Sequence, residues 1–303
     1  MSNLALLVVF NHRFDRNLEK LRSFYKKKFS NVFYLMPFYD GHDEDVIPVY
    51  YPSNTFQGFF VNAYERLKDY DFDGWFVIAD DMVINPCINE KNVMEKLAVS
   101  RDDSFLPSML DFNPEVNWVH AHKSLSFSLH SPFLENSQQL PDKKLAFSKL
   151  ESYGLEPKGV LFENVYKDIF SGEINRTAAY YGARYVHDAH KPKEELLHGE
   201  YPMCWGYSDI FFIGSNNLKE FCRLCGIFAA SGLFVEIALP TALILSARGK
   251  VIQQHQIEFS GRPLWGSEVE EHLGKYDFNL QRLCEDFPVN QLFWHPVKLS
   301  KWT

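Results

Sequence analysis

Two adjacent carboxylates, Asp80 and Asp81, end the run Gly74-Trp-Phe-Val-Ile-Ala79, and hydrophobic residues resume at once in Met82-Val-Ile-Asn-Pro86. Acids flanked by core-strand residues are costly to desolvate unless a cation or hydrogen bonds neutralise them. Hard carboxylate oxygens suit Mg²⁺ or Mn²⁺, and those ions in turn bind diphosphate oxygens. The structural alternative is a capped turn with solvated aspartates. A further acid, Glu236, stands alone inside Gly232-Leu-Phe-Val-Glu-Ile-Ala-Leu-Pro240. Apolar surroundings raise a carboxyl pKa and favour general-base work. A helix-start acid interacting with the helix dipole is the alternative there. Met203-Cys-Trp205-Gly-Tyr207-Ser-Asp209 places two aromatic rings and a carboxylate within a few residues. Rings pack against sugar C–H faces and carboxylates accept paired hydroxyls, although a core aromatic turn has the same composition. The chain ends in the basic, aromatic stretch Asn290-Gln-Leu-Phe-Trp-His295-Pro-Val-Lys298-Leu-Ser-Lys-Trp-Thr303. On an acidic protein such a tail suits an anionic partner, with His295 and Lys298 as its chemical groups; a lone His is otherwise a structural or surface residue.

These residues need elements to position them. Leu4–Phe10 is a continuous apolar run of the kind buried on both faces of a sheet. Asp15 is a plausible N-cap for a helix carrying Leu18, Leu21 and Phe24/Tyr25. Strands are expected at 31–36, 46–50 and 75–79, with a helix over 56–67 between the last two. That β-α-β alternation predicts an α/β fold with a mostly parallel, doubly wound sheet flanked by helices. Ligand-binding loops then lie at the carboxyl ends of the strands. Asn11, His12 and Arg13 follow the first strand, and Gln57-Gly58 precede the second helix, where a glycine lets backbone approach a ligand. Residues 101–202 read as irregular and partly helical. Regularity returns with a strand near 209–213, helices over 217–228 and 236–248, and a strand at 250–253. No linker or repeat divides the chain, so residues 1–303 are read as a single domain. Two functional halves are expected within it, about 1–100 and about 101–303, with a C-terminal tail that acts only slightly on the core.

The 303 residues carry 31 Lys plus Arg against 39 Asp plus Glu, a formal net charge of -8 that repels phosphate backbones and argues against nucleic-acid binding. The 27 Phe and 15 Tyr point to a Phe-rich core, with platforms for flat ligands as the sharper reading. Five cysteines form no even framework, and Cys222-x-x-Cys225 falls on an amphipathic helical pattern, so a reducing compartment is expected. The N-terminus has no basic n-region, and the apolar run 237–247 is broken by Pro240 and falls short of a membrane span. A cytoplasmic protein is expected, at most peripherally associated with the inner face of the membrane. His120/His122/His130 and His187/His190 lack Cys or acidic partners at zinc-ligand spacing.

In order along the chain, these landmarks resemble GT-A fold glycosyltransferases. Val77-Ile-Ala-Asp80-Asp81-Met-Val-Ile is similar to the family's DxD segment, with Ala79 in place of the first Asp. The resemblance implies that Asp81 holds the metal and Asp80 faces the ribose or the sugar. Glu236 falls on the glutamate of the helix that supplies the base in inverting members, with Ile237 in place of the usual Asp. Asp209 matches the acid near donor sugar and acceptor. By the same resemblance His295 would complete the metal site and Lys298 would contact the diphosphate. Asn11, His12, Arg13 and Gln57 would lie on the donor nucleotide, and Trp205, Tyr207 and Trp265 would bind acceptor and sugar. About 1–100 would then be the nucleotide-sugar-binding half and about 101–303 the acceptor-binding half, its tail closing on the donor site. The Glu236 helix and terminal His-Pro-x-Lys-Leu-Ser look similar to bacterial enzymes that build lipopolysaccharide or capsule. The resemblance thus implies Mn²⁺- or Mg²⁺-dependent transfer of a sugar from a nucleotide-sugar donor, UDP-linked by expectation, to a glycan or lipid-linked glycan acceptor. The rivals are a sugar nucleotidyltransferase, which would carry a Gly-rich loop where Phe10-Asn-His-Arg-Phe14 stands, and a non-catalytic glycan-binding protein on the same fold.

Overall fold

The structure is a computed structural model that describes residues 3–111, 139–156 and 201–303. Strands β1 (Leu4–Val9), β2 (Asn31–Pro37), β3 (Val46–Val49), β4 (Gly74–Ala79), β6 (Ser104–Phe105), β9 (Ile210–Gly214) and β10 (Val251–Ile252) form a seven-stranded sheet in the order β10-β6-β9-β4-β1-β2-β3. Outside that sheet, β5 (Val83–Ile84) pairs with β11 (Phe293–Trp294), and β7 (Leu110–Asp111) pairs with β8 (Cys204–Trp205). Every neighbouring pair in the large sheet is parallel except those made by β9, which runs against both β4 and β6. The expected α/β architecture, a mostly parallel sheet flanked by helices, is what the chain adopts.

The apolar run of β1 explains its central place. Ala5, Leu7 and Val9 enter one core with the helices Phe59–Leu67, Leu218–Ala230 and Val235–Ser246. Leu4, Leu6 and Val8 enter a second core on the opposite face with the helix Leu18–Tyr25 and the C-terminal elements. Alternate side chains of one strand therefore feed both layers, which is why the sequence shows no polar positions there.

Three local expectations differ from the structure. Asp15 does not cap the Leu18–Tyr25 helix: it opens a 3₁₀ turn, Asp15–Asn17, and its carboxylate accepts from Arg13 Nε at 3.0 Å. The helical stretch expected from residue 56 divides into a 3₁₀ segment, Ser53–Gly58, and the α-helix Phe59–Leu67. The tail is no light attachment, since Leu292, Phe293, Trp294, Val297, Leu299 and Trp302 are buried in the second core. Asn85 Nδ2 also donates to the carbonyls of Pro288, Val289 and Gln291, tying the segment before β11 to the end of β5. The histidines at 120, 122, 130, 187 and 190 lie outside the described residues. No helix among the described residues is long and apolar enough to cross a membrane.

Candidate functional site

From β1 the chain winds outward to β2 and β3, then returns across β1 to β4. The carboxyl ends of β1 and β4 therefore flank the point where the winding direction reverses, the place where open α/β sheets hold ligands. Asp80 and Asp81 follow β4 at that point, and Asp80 N–H donates to Val9 O at 2.9 Å. The antiparallel direction of β9 brings its leading residue to the same end: Asp209 O accepts Ala79 N–H at 2.9 Å. On the other side of the pair, β11 lies against β5 with Trp294 opposite Val83. His295 therefore arrives beside Asp81, and Val297 N–H donates to Asp81 O. Segments more than two hundred residues apart in sequence meet here through backbone pairing alone.

Asp81 Oδ1 is buried and stands 2.9 Å from His295 Nε2, an ion pair when the imidazole is protonated, with no other partner among the described residues. Asp209 Oδ2 is 4.0 Å from the same nitrogen. His295 Nδ1 lies 2.8 Å from the Tyr207 hydroxyl, whose ring stacks on Phe293 at 5.7 Å. Burial works against a charged imidazole, but Asp81, Asp209 and Asp80 outweigh it and hold the His295 pKa above its ordinary value. Asp80 is 7% exposed and accepts from Asn17 Nδ2 at 3.4 Å. Burial, reinforced by the neighbouring Asp81, pushes its pKa up to about 7. Asp209 is raised by burial as well, with His295 opposing the shift.

Glu236 occupies the first turn of the Val235–Ser246 helix, and burial followed by the charge of Asp209 lifts its carboxyl to about 7. The turn before β9 is bound to this helix: Gly206 N–H donates to Glu236 O, and Cys204 N–H donates to Thr241 Oγ1 at 3.2 Å. Gly206 has no room for a side chain, because a Cβ would stand 2.1 Å from Ser108 O.

The other expected site residues take different positions. Asn11 lines a small cleft with Ala79 and Asp209, whereas His12 and Arg13 are exposed at the end of β1, where Arg13 pairs with Asp15 and with Asp40 at 2.7 Å. Gln57 is fully buried and donates through Nε2 to Leu233 O. What approaches Gly58 is the Tyr51 ring, 2.6 Å from where a Cβ would be. Trp205 donates its indole N–H to Asp111 O at 3.0 Å, holding β8 beside β7. Tyr207 turns its hydroxyl to His295, so it orients the imidazole. Trp265 and Lys298 line a separate groove that begins next to His295. Sequence reasoning missed Asn17, which reaches Asp80 from the 3₁₀ turn before the first helix and keeps Oδ1 buried and unpaired. An Asn among Asp-Arg-Asn gives no sign of such a role.

Among the described residues no group of three or more His, Cys, Asp or Glu stands ready to hold a metal ion. Asp81 Oδ1 and His295 Nε2 nevertheless fit a divalent cation as a pair. They are a buried carboxylate oxygen whose one neighbour is the imidazole itself among the described residues, and an imidazole nitrogen whose partner nitrogen is engaged by Tyr207, the outer contact that fixes a ligating ring. Remaining ligands would come from bound anion and water, as Mg²⁺ and Mn²⁺ accept at phosphate sites.

No family model matches the chain, and no curated protein matches it. Among solved structures, core-mannan synthase A (CmsA/Ktr4) from Aspergillus fumigatus, in a Mn/GDP form, is 11% identical with a TM-score of 0.36. That match covers 85% of this chain and 74% of the other. The mannosyltransferase Ktr4p from S. cerevisiae, in complex with GDP, is 12% identical with a TM-score of 0.34 over 85% of this chain and 68% of that one. A likeness of this degree fixes neither activity nor ligand.

Proposed function

We propose that the chain is a divalent-metal-dependent glycosyltransferase that moves a sugar from a nucleotide-sugar donor to a glycan hydroxyl. The observation that carries the reading is the convergence of Asp81, His295 and Asp209 at the carboxyl ends of β1 and β4, with Asp81 Oδ1 buried 2.9 Å from an imidazole nitrogen and engaged by no other group among the described residues. A cluster of that charge wants a cation, and its place in the sheet wants a nucleotide. The cation, when bound, neutralises charge on the donor diphosphate.

The chain's own residues do the rest. Tyr207 fixes the His295 ring and thereby which nitrogen faces Asp81. Glu236, a carboxyl lifted to about 7, accepts the proton of the acceptor hydroxyl as that oxygen bonds to the anomeric carbon. The bond from the anomeric carbon to the diphosphate breaks, and its electron pair leaves with the diphosphate. Lys298, exposed three residues after His295, would offset that charge. UDP-linked donors and acceptors of surface polysaccharides, including lipid-linked glycans, are the first substrates to try.

The test is turnover of a panel of nucleotide sugars, UDP-linked first, with Mn²⁺ and with chelator. Release of nucleoside diphosphate that requires the ion and is lost in Asp81→Asn supports the reading. Donor that is bound but never cleaved would leave a glycan- or nucleotide-binding protein on this fold.

A further inference from the structure

Beside the candidate site, and sharing the segment that carries His295, a groove of about 610 Å³ opens on the surface. Leu264, whose N–H donates to His295 O at 2.8 Å, and Pro296 form its inner wall. Its rim and floor carry Trp265, Phe278, Trp302, Lys298, Lys301 and Glu270. Nothing in the reaction described above uses this groove apart from Lys298.

Two features show that the groove is built. Trp265 is 71% exposed, yet the turn that carries it is braced: its N–H donates to Glu268, which also pairs with Arg262 at 2.7 Å. Asp277 and Phe278, neither of them glycine, both have positive φ, 49° and 56°. Consecutive left-handed residues of this kind are strained and persist only where the surroundings hold them. Here Phe278 O accepts from Thr303 N–H, and the outcome is an aromatic ring held outward at the rim, 51% exposed.

The charges select the ligand. Lys301 N–H closes a 3₁₀ turn onto Lys298 O, and residues three apart in such a turn lie one above the other. Both lysines line the groove, and neither side chain makes an ion pair or hydrogen bond among the described residues. Asp277 is engaged by Arg282 at 3.0 Å, which leaves Glu270 as the lining carboxylate without a partner among the described residues. Two ammonium groups without an ion pair among the described residues, on a chain of formal charge -8, suit an anionic ligand, and the exposed rings suit one with a flat C–H face. The volume lies within the range of small-ligand sites. We propose that the groove binds a negatively charged sugar unit of the acceptor, one bearing a carboxylate or a phosphate. As an acceptor subsite this rests on the glycosyltransferase reading; as a binding site it stands on the groove alone.

The experiment measures binding of trigalacturonate, mannose 6-phosphate and neutral galactotriose by tryptophan fluorescence and saturation-transfer NMR. The proteins are the wild type, Trp265→Ala, Lys301→Gln and Asp81→Asn. Trp265 and Lys301 are exposed, so their variants should fold, and melting curves check this. At least one anionic probe is expected to bind wild type and Asp81→Asn alike. Its affinity should fall about tenfold or more in Trp265→Ala and Lys301→Gln, and fall with added salt. The carboxylate and phosphate arms identify which substituent is read. Equal binding of galactotriose, unchanged affinity in both groove variants, or no binding of either anionic probe overturns the proposal. Normal groove binding in a protein that turns over no nucleotide sugar would instead overturn the glycosyltransferase reading and leave the groove standing.

Discussion

The carbonyl of Glu236 accepts the Gly206 N–H at 2.9 Å, a bond that in a regular helix would compete with an intrahelical donor. The reason is Pro240, four residues on and inside the Val235–Ser246 helix. A helical residue at that position would donate its N–H to the Glu236 carbonyl, and proline has none to give. The freed acceptor binds the turn that leads into Asp209, so one missing N–H couples the candidate base to the acid cluster. Pro240→Ala supplies a competing donor. The variant should melt at the same or a higher temperature, since alanine suits a helix better. The Gly206 amide should exchange hydrogen faster, by about tenfold for the loss of one hydrogen bond. Unchanged exchange at Gly206 would show that Pro240 plays no part in the coupling.

Gly206 is the other half of that bond and has no space to spare. Gly206→Ala drives a Cβ against the Ser108 carbonyl and should destabilise by about 1–3 kcal/mol, read as a lower denaturation midpoint. A neutral effect would mean that the turn moves freely.

Much of this arrangement was legible in the sequence, and the part that was not has a physical cause. β1 and β4 could be read because both faces of each strand are buried, which leaves an unbroken apolar run ending at the acids. Glu236 could be read because a lone acid in an apolar stretch is conspicuous. The direction of β9 could not, since hydrophobic pattern is blind to strand polarity, yet that direction is what brings Asp209 to Asp81. The short pair β5 and β11, two residues each, offers no periodicity, so the tail looked peripheral when it is core. The contact from Asn17 to Asp80 joins residues 63 apart and leaves no local trace.

Glu236 sets a pH dependence with a definite sign. Its folded pKa, about 7, lies above the ordinary 4.5, so the folded state favours the protonated form. The stability this contributes is complete below about pH 4.5 and is lost as pH rises through about 7. Glu236→Gln removes that loss, so at pH 8 the variant should be more stable than wild type by about 1–3 kcal/mol. Catalysis runs the other way, because a base must be ionised. Wild-type kcat should fall below pH 7, and Glu236→Gln should lose about 10²–10⁴-fold in kcat together with that acidic limb. A variant with near-normal kcat would move the base elsewhere, with Asp209 next to examine.

Tyr207 acts through His295. Tyr207→Phe keeps the ring stacked on Phe293 and removes the oxygen 2.8 Å from Nδ1. Affinity for Mn²⁺ should fall about 10–100-fold while the melting temperature changes little. Unchanged affinity, measured by titration with Mn²⁺ in an electron paramagnetic resonance assay, would separate Tyr207 from the ion.

The central claim is that Asp81 and His295 hold a divalent ion against the diphosphate of a nucleotide. Calorimetry of UDP, then of the other nucleoside diphosphates, with Mn²⁺ and with chelator tests it most directly. At least one nucleotide should bind about tenfold or more tightly when the ion is present, a difference of about 1.4 kcal/mol, and Asp81→Asn should abolish that difference while retaining the wild-type fold by circular dichroism. Equal affinity with ion and with chelator, for every nucleotide, would contradict the account.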